Sequence, residues 1–355
     1  MNFSNLLKPR YCLDKLVGKA WSFFGAQLTQ PAREPALENP QDLRDISIEW
    51  PAHYGWGPAF NWVDAIRSGL ERYVSVQQAD IPQLPNNAVQ IRVFYHGLEY
   101  KVIIDYIDKP ETIFDDYLKD CLVYFKMQFS NGGYDDRRIV PGLYVPTSGM
   151  DMYHYLPRLR RIRDDFARTE FDVYGRFGLY RSDPINTSWH DVEMTGRDIR
   201  NRALRILETQ EKFRYQGGGN LLAITRSLCE VARSNICIDL PGRGPFCHRL
   251  VDYLSIGSCI ISYPHEATFH LPLTPGKHIV YCRTDFCDLV ELCQYYLGHE
   301  QERRAMVQAS REYFDTYLHK DCIAAYYLEC ISSRLGLSLE QLSPTHTKDV
   351  DGLHK

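Results

Sequence analysis

The sequence predicts an α/β protein of two domains. Strand-like and helix-like runs alternate from residue 45 onward, and the strand-like runs of the second half, such as "NICIDL" and "CIIS", are apolar without interruption. Apolar strands of that kind, alternating with helices, belong to parallel sheets covered on both faces. The chain has 355 residues, enough for two cores of ordinary size.

Residues 1–45 stand apart. "LLKPRYCLDKLVGKAWSFFGAQL" mixes Lys8, Arg10, Lys15 and Lys19 with Leu13, Leu16, Val17, Trp21, Phe23 and Phe24, and the proline-punctuated "TQPAREPALENPQ" follows as a linker. Two readings stand side by side: a helix lying on a membrane surface, or an ordinary amphipathic helix packed on the protein. From 46 to 160 we expect the first domain. "DISIEW" is a strand, "PAHYGWG" a loop and "PAFNWVDAIRSGL" a helix with proline in its first turn. "AVQIRVFY" and "LEYKVIIDYID" are strands around a tight turn at His96-Gly97, "ETIFDDYLKD" is a short helix, "CLVYFKMQF" a strand, and "MDMYHYLPRLRRIRDDFART" the closing helix. Residues 161–340 make the second domain: strand "FDVYGRFG", helix "GRDIRNRALRILETQ", strand "KFRYQGGG", and a helix in "NLLAITRSLCEVARS" with Asn220 as its N-cap. "NICIDLPG" is a buried strand, "GRGPFCHRLVDYLSIGSCIIS" a glycine loop, helix and strand, and "HIVYC" a further strand before three helices. Residues 341–355 read as a disordered tail.

The net charge of −4 and pI near 6.3 offer no general attraction to nucleic acid, which is excluded as a partner class. The eleven cysteines include no C-x-x-C pair and several lie in apolar runs, so they read as reduced core thiols, with no metal site expected. With no apolar run near membrane-spanning length and no signal-peptide pattern, the expected location is cytoplasmic, with peripheral contact on the inner face of a membrane as its extension. No Walker loop, H-E-x-x-H, G-x-S-x-G or G-x-G-x-x-G is present.

The most informative stretch runs from Gly242 to Ser262. A helix that starts after the carboxyl end of a parallel strand points free N–H groups and a partial positive charge into the crevice where such folds bind ligands. Gly242 and Gly244 let the backbone approach closely, and Arg243, His248 and Arg249 add cationic character, which together suit a diphosphate. Asp252 lies three residues after Arg249, where a carboxylate can accept from ribose hydroxyls; the competing reading pairs Arg249 with Asp252 or Glu266 in an ion pair.

The pattern Arg249-Leu250-x-Asp252-x-Leu254-x-x-Gly257 before an apolar strand resembles the R-L-x-E-A-L-x-x-G segment of exostosin-like glycosyltransferases and the corresponding segment of group 1 glycosyltransferases. "PLTPGKHIVYCRTDFCDLVELCQYYLGHEQERRAMVQASREYF" is similar to the group 1 continuation, so the likeness covers roughly residues 234–330. The resemblance implies a GT-B-like architecture, two Rossmann-like domains facing across a cleft, the second holding a nucleotide-sugar donor and the first a glycan, lipid-linked or protein acceptor. It places Arg249 on the donor phosphates and Asp252 on the ribose. The family's glutamate is here the shorter Asp252, and the proline of its next strand is missing at Ser258-Cys259-Ile260. It implies a transferase without metal or other cofactor, with Arg243 and Arg249 stabilising the leaving diphosphate and Lys277 of "PGKH" assisting. An inverting reaction also needs a base. His53 in "WPAHYGWG" is the first candidate and Asp105 and Asp108 the next, while Lys126, interrupting an apolar strand, calls for an anionic partner or a snorkelling position. Two rival functions use the same fold: a non-catalytic nucleotide- or glycan-binding module, and a nucleotide-sugar epimerase.

Overall fold

The structure is a computed structural model that describes residues 9–25, 43–82, 84, 88–166, 169–178, 190–220 and 222–337, without the side chains of 9–12, 23–25 and 190–196. The expected linker, the C-terminal tail and the rings of Phe23 and Phe24 lie outside that description.

Ahead of the first sheet lies helix α1 (Pro9–Gly25). The sheet itself has six strands in the order β2-β1-β3-β4-β5-β6: β1 (Ile46–Pro51), β2 (Ser75–Ala79), β3 (Ala88–Tyr95), β4 (Leu98–Asp105), β5 (Cys121–Lys126) and β6 (Ile139–Pro141). Helix α2 (Phe60–Leu70) crosses from β1 to its parallel neighbour β2. Strand β3 is antiparallel to both β1 and β4, so this sheet is mixed. The cause is local. His96 and Gly97 both take positive φ, 48° and 77°, the geometry of a two-residue hairpin turn, which can only join antiparallel strands. A short α3 (Asp115–Leu118) precedes β5, and α4 (Met150–Asp164) leads into the second half.

The second sheet is wholly parallel, in the order β11-β10-β9-β7-β8. Its strands are β7 (Phe171–Arg176), β8 (Tyr215–Gly218), β9 (Ser234–Asp239), β10 (Cys259–Ser262) and β11 (Val280–Tyr281), with α5 (His190–Thr209), α6 (Ile224–Ala232) and α7 (His248–Ile256) between them. Strands β9 and β10 are buried on both faces, as their uninterrupted apolar sequences require. The N-cap of α6 is Ala223, not Asn220, because the helix begins later than its apolar spacing indicates. Helix α7 ends where Gly257 takes φ 85°, a conformation that favours glycine.

Helices α8 (Leu289–Gly298), α9 (Glu300–Tyr313) and α10 (Lys320–Arg334) complete the chain. The last of these returns to the first half. Tyr327 stacks on Phe125 of β5 at 3.6 Å between ring centroids and donates from its hydroxyl to the Gly142 carbonyl at 2.6 Å. Arg72 pairs with Asp321, and a Cβ on Gly69 would strike the Lys320 carbonyl, so α2 and α10 meet in close contact. One apolar core therefore runs from Trp50 and Val63 through Phe125 to Tyr327 and Leu328. The described cysteines are free thiols.

Candidate functional site

The carboxyl edges of the two sheets face one another. In the second sheet the chain runs from β7 outward to β8 and then reverses to β9 on the other side. That reversal opens a crevice beyond the carboxyl ends of β7 and β9, the place where open α/β sheets bind ligands.

Arg249, in the first turn of α7, lies across that crevice. Its Nη1 donates to the Arg176 carbonyl at 3.3 Å, its Nη2 to the Leu240 carbonyl at 2.9 Å, and the guanidinium sits 4.8 Å from the centre of the Phe177 ring. Its Nε is 3.7 Å from Oδ1 of Asp239, the last residue of β9, too long for a hydrogen bond but close enough for Coulomb attraction. A second arginine repeats the arrangement: Arg200, from α5, donates to the carbonyls of Pro241 at 2.8 Å and Gly178 at 2.7 Å. Two guanidinium groups thus hold strand-end carbonyl oxygens, whose negative ends would otherwise oppose a bound anion.

The glycine loop sits on the other side. Gly242 donates from its N–H to the Gly244 carbonyl at 2.9 Å, folding residues 242–244 into a tight turn. Gln128, from the first domain, accepts from the Phe246 N–H at 3.0 Å and donates to the Phe246 carbonyl at 3.0 Å. A Cβ on Gly244 would strike the Gln128 amide and the Asp108 carbonyl, so glycine is what permits this approach. Arg243 is exposed, and its charge acts on Asp108. Burial pushes the Asp108 carboxyl up, while Arg243, Gln128 and Lys126 pull it back.

Beside the crevice lies a cavity of about 220 Å³ lined by Phe246, His265, Phe269, Leu273 and Tyr281, with Asn131 from the first domain. His265 Nε2 is 3.3 Å from Asp239 Oδ2 and 3.0 Å from the Ser262 hydroxyl, and the Tyr281 hydroxyl is 3.2 Å from its Nδ1. With Asp239 accepting at Nε2, the tautomer that leaves Nδ1 to accept from Tyr281 satisfies both ends. Arg249, Asp239, His265 and Tyr281 form one connected row from crevice to cavity.

The first domain presents a different edge. Asp105 and Lys126 end neighbouring strands and are fully buried, 2.9 Å apart. Asp105 also accepts from the Tyr124 hydroxyl at 2.6 Å and the Ile107 N–H at 2.7 Å, and Lys126 donates to the Thr112 carbonyl at 2.9 Å. Lys126 has the anionic partner its position calls for. The same geometry corrects the expectation of Asp105 as a base: its oxygens are spent on internal donors and out of reach of a substrate hydroxyl. His53 is exposed in the loop that follows β1. Next to it Trp56, 41% exposed, stacks on Tyr106 at 5.8 Å, and Tyr106 stacks on Trp62 at 5.9 Å.

Three donor-site expectations meet a different environment. The Nδ1 of His248 lies 2.8 Å from the Val145 carbonyl and its ring packs at 3.6 Å on Trp62; burial lowers its pKa to about 4, so it is neutral near pH 7 and adds no positive charge. Asp252 is buried and accepts from the Thr147 N–H at 2.9 Å and hydroxyl at 2.6 Å, so its carboxylate clamps the two domains instead of facing a ribose. Lys277 stands on the opposite edge of the sheet, because Ser310 donates to both the Ser258 and His278 carbonyls, which precede β10 and β11. Arg249 holds the carbonyl of Leu240, from which the chain enters the loop of Gly242, Arg243 and Gly244; Lys277 does not join them.

Asp239, Arg200, Ser262, His265 and Tyr281 escaped the sequence reading. Position offered a signal for two of them: Asp239 closes "NICID" and Ser262 closes "CIIS", each a polar residue at the carboxyl end of an apolar parallel strand. Arg200 and Tyr281 reach the site through the tertiary fold alone.

The fold is that of a two-domain α/β protein with two parallel-rich sheets, the GT-B arrangement. Comparison with protein families narrows this: a glycosyl transferase-like family model matches residues 159–327, just under half of the chain, so the second sheet and its helices are similar to that family. No curated protein matches the sequence.

Proposed function

We propose that the protein transfers a sugar from a nucleotide-sugar donor, bound at the carboxyl edge of the second sheet, to an acceptor hydroxyl presented by the first domain. The observation that carries this reading is the position of Arg249 at the β7/β9 reversal, within the stretch matched by the glycosyl transferase-like model, on the Leu240 carbonyl that leads into the glycine loop. Its remaining N–H groups and Arg243 supply an anion seat for the donor diphosphate. The adjoining cavity takes the nucleoside.

In the reaction the acceptor oxygen bonds to the anomeric carbon as the bond from that carbon to the diphosphate breaks. The electron pair leaves with the diphosphate, where protein cations stabilise it without a metal ion. The acceptor proton passes to a base, for which His53 is the candidate and Asp108, across from Arg243, the second. Trp56 offers a flat face to an acceptor sugar ring.

Calorimetric titration with UDP, GDP, ADP and CMP, on the parent and on Arg249→Ala, tests the seat. At least one nucleotide should bind the parent with an affinity lost in the variant, and the matching sugar nucleotide should give transfer that survives EDTA. Equal affinity in both proteins removes the assignment. Binding without transfer to any acceptor extract favours the non-catalytic module, and conversion of the sugar nucleotide without acceptor favours the epimerase.

A further inference from the structure

The cavity beside the crevice joins apolar walls to polar side chains that all give their protons to the protein. Phe246 and Phe269, stacked at 4.5 Å between ring centroids, supply apolar surface together with Leu273. His265, Tyr281, Thr268 and Asn131 supply the polar atoms. The Ser262 hydroxyl donates to the Tyr263 carbonyl at 2.8 Å and the Asp239 carboxylate can only accept, so the neutral His265 ring, with Nε2 in reach of both, carries its hydrogen there. Its Nδ1 is then a bare acceptor, and the Tyr281 hydroxyl, 3.2 Å away, donates to it. The Thr268 hydroxyl donates to the Phe269 carbonyl at 3.1 Å. Asn131 donates from its amide nitrogen to the His265 carbonyl at 2.8 Å, which turns its amide oxygen away from that bond. Among the described residues the side-chain oxygens of Tyr281, Thr268 and Asn131 accept no hydrogen bond, so lone pairs are what they offer a ligand.

We propose that the cavity selects a nucleobase with an exocyclic amine, as cytosine, adenine and guanine have, over uracil, a selection that rests on the nucleoside placement proposed above. The apolar walls suit the face of any base, and choice among bases falls to the few polar atoms. An amine N–H that enters the cavity meets an acceptor. A carbonyl in its place meets lone pairs, and oxygens on both sides lose water without gaining a donor. Uracil carries two carbonyls beside its one ring N–H, so its polar edge is the poorest match. Tyr281 and Asn131, one from each domain, both fastened to His265, are the residues that read the base.

The test is calorimetric titration of the full chain with CDP against UDP, and with ADP and GDP against IDP, whose base has no amine. The tightest of the five should carry an amine and exceed its amine-free counterpart by about tenfold or more, the cost of a buried polar group left unpaired. Tyr281→Phe keeps the ring, removes the accepting oxygen and should shrink that ratio several-fold, with circular dichroism unchanged. The proposal is overturned if UDP or IDP binds as tightly as any of the others, or if Tyr281→Phe leaves the ratio as it was. Should affinity then still be lost in Arg249→Ala, the anion seat stands and only the choice of base falls; binding by none of the five removes both.

Discussion

Each sheet ends in an acid and a cation at the carboxyl edge of its inner strands, yet the two pairs live in different worlds. Asp105 and Lys126 have no solvent exposure, and every charged group is met by a hydroxyl, an amide or a carbonyl. Asp239 and Arg249 stand farther apart, and the arginine side chain keeps 16% exposure onto the crevice. A sealed pair neutralises itself and contributes to specificity of folding. A pair with an open cation can serve a ligand, because the cation has donors to spare. The difference shows why a buried charge in a sequence does not by itself locate an active site.

The largest effect should come from breaking the sealed pair. Lys126→Met leaves Asp105 as an unpaired buried acid and should cost about 3–5 kcal/mol in urea denaturation. Since burial is what raises the Asp105 carboxyl, the variant should regain part of that stability as pH falls and the acid protonates. Pairing it with Asp105→Leu should restore most of the loss. Arg249→Ala should instead act mainly on binding, lowering nucleotide affinity by about 2–4 kcal/mol. Arg249→Lys should recover little, since one ammonium cannot span both the Arg176 and Leu240 carbonyls. Gly244→Ala sharpens the comparison at the domain seam: forcing Gln128 away should cost about 1–3 kcal/mol, read as a lower thermal midpoint.

The smallest effect is a pH dependence. Burial lifts the Asp252 pKa to about 7, against the ordinary 3.8. The folded protein therefore holds a proton there that the unfolded chain has lost, and stability falls as pH rises through this range. From pH 6 to pH 7 the loss should be about 1 kcal/mol. Asp252→Asn should flatten that slope in pH-dependent melting curves. His248 works in the opposite sense: lowered to about 4 by burial, it withdraws stability only as pH drops below its unfolded value, from about 6.5 toward 4.

Much of the second domain was legible because its strands are continuously apolar and its helices carry clear periodicity. "NICIDL" could be little else, and Gly257 marks the end of α7 through a positive φ that favours glycine. Strand β2, "SVQQA", carried no comparable signal; three of its five residues are exposed at the sheet edge, so neither alternation nor apolar run marks it. The return of α10 to the first domain was equally hidden, since which half a helix packs on is a property of the tertiary fold. In the site, glycine, arginine and helix start could be placed in one crevice from local order alone. The orientations of His248 and Asp252 could not, because Val145 and Thr147, about a hundred residues away, decide them.

The most direct measurement of the central claim is a crystal structure with the nucleoside diphosphate that binds most tightly. The account predicts its two phosphoryl groups between Arg249 and Arg243, against the 242–247 loop, with the base in the cavity beside His265. Phosphates bound away from Arg249, or a nucleotide outside the crevice between the two sheets, would contradict it.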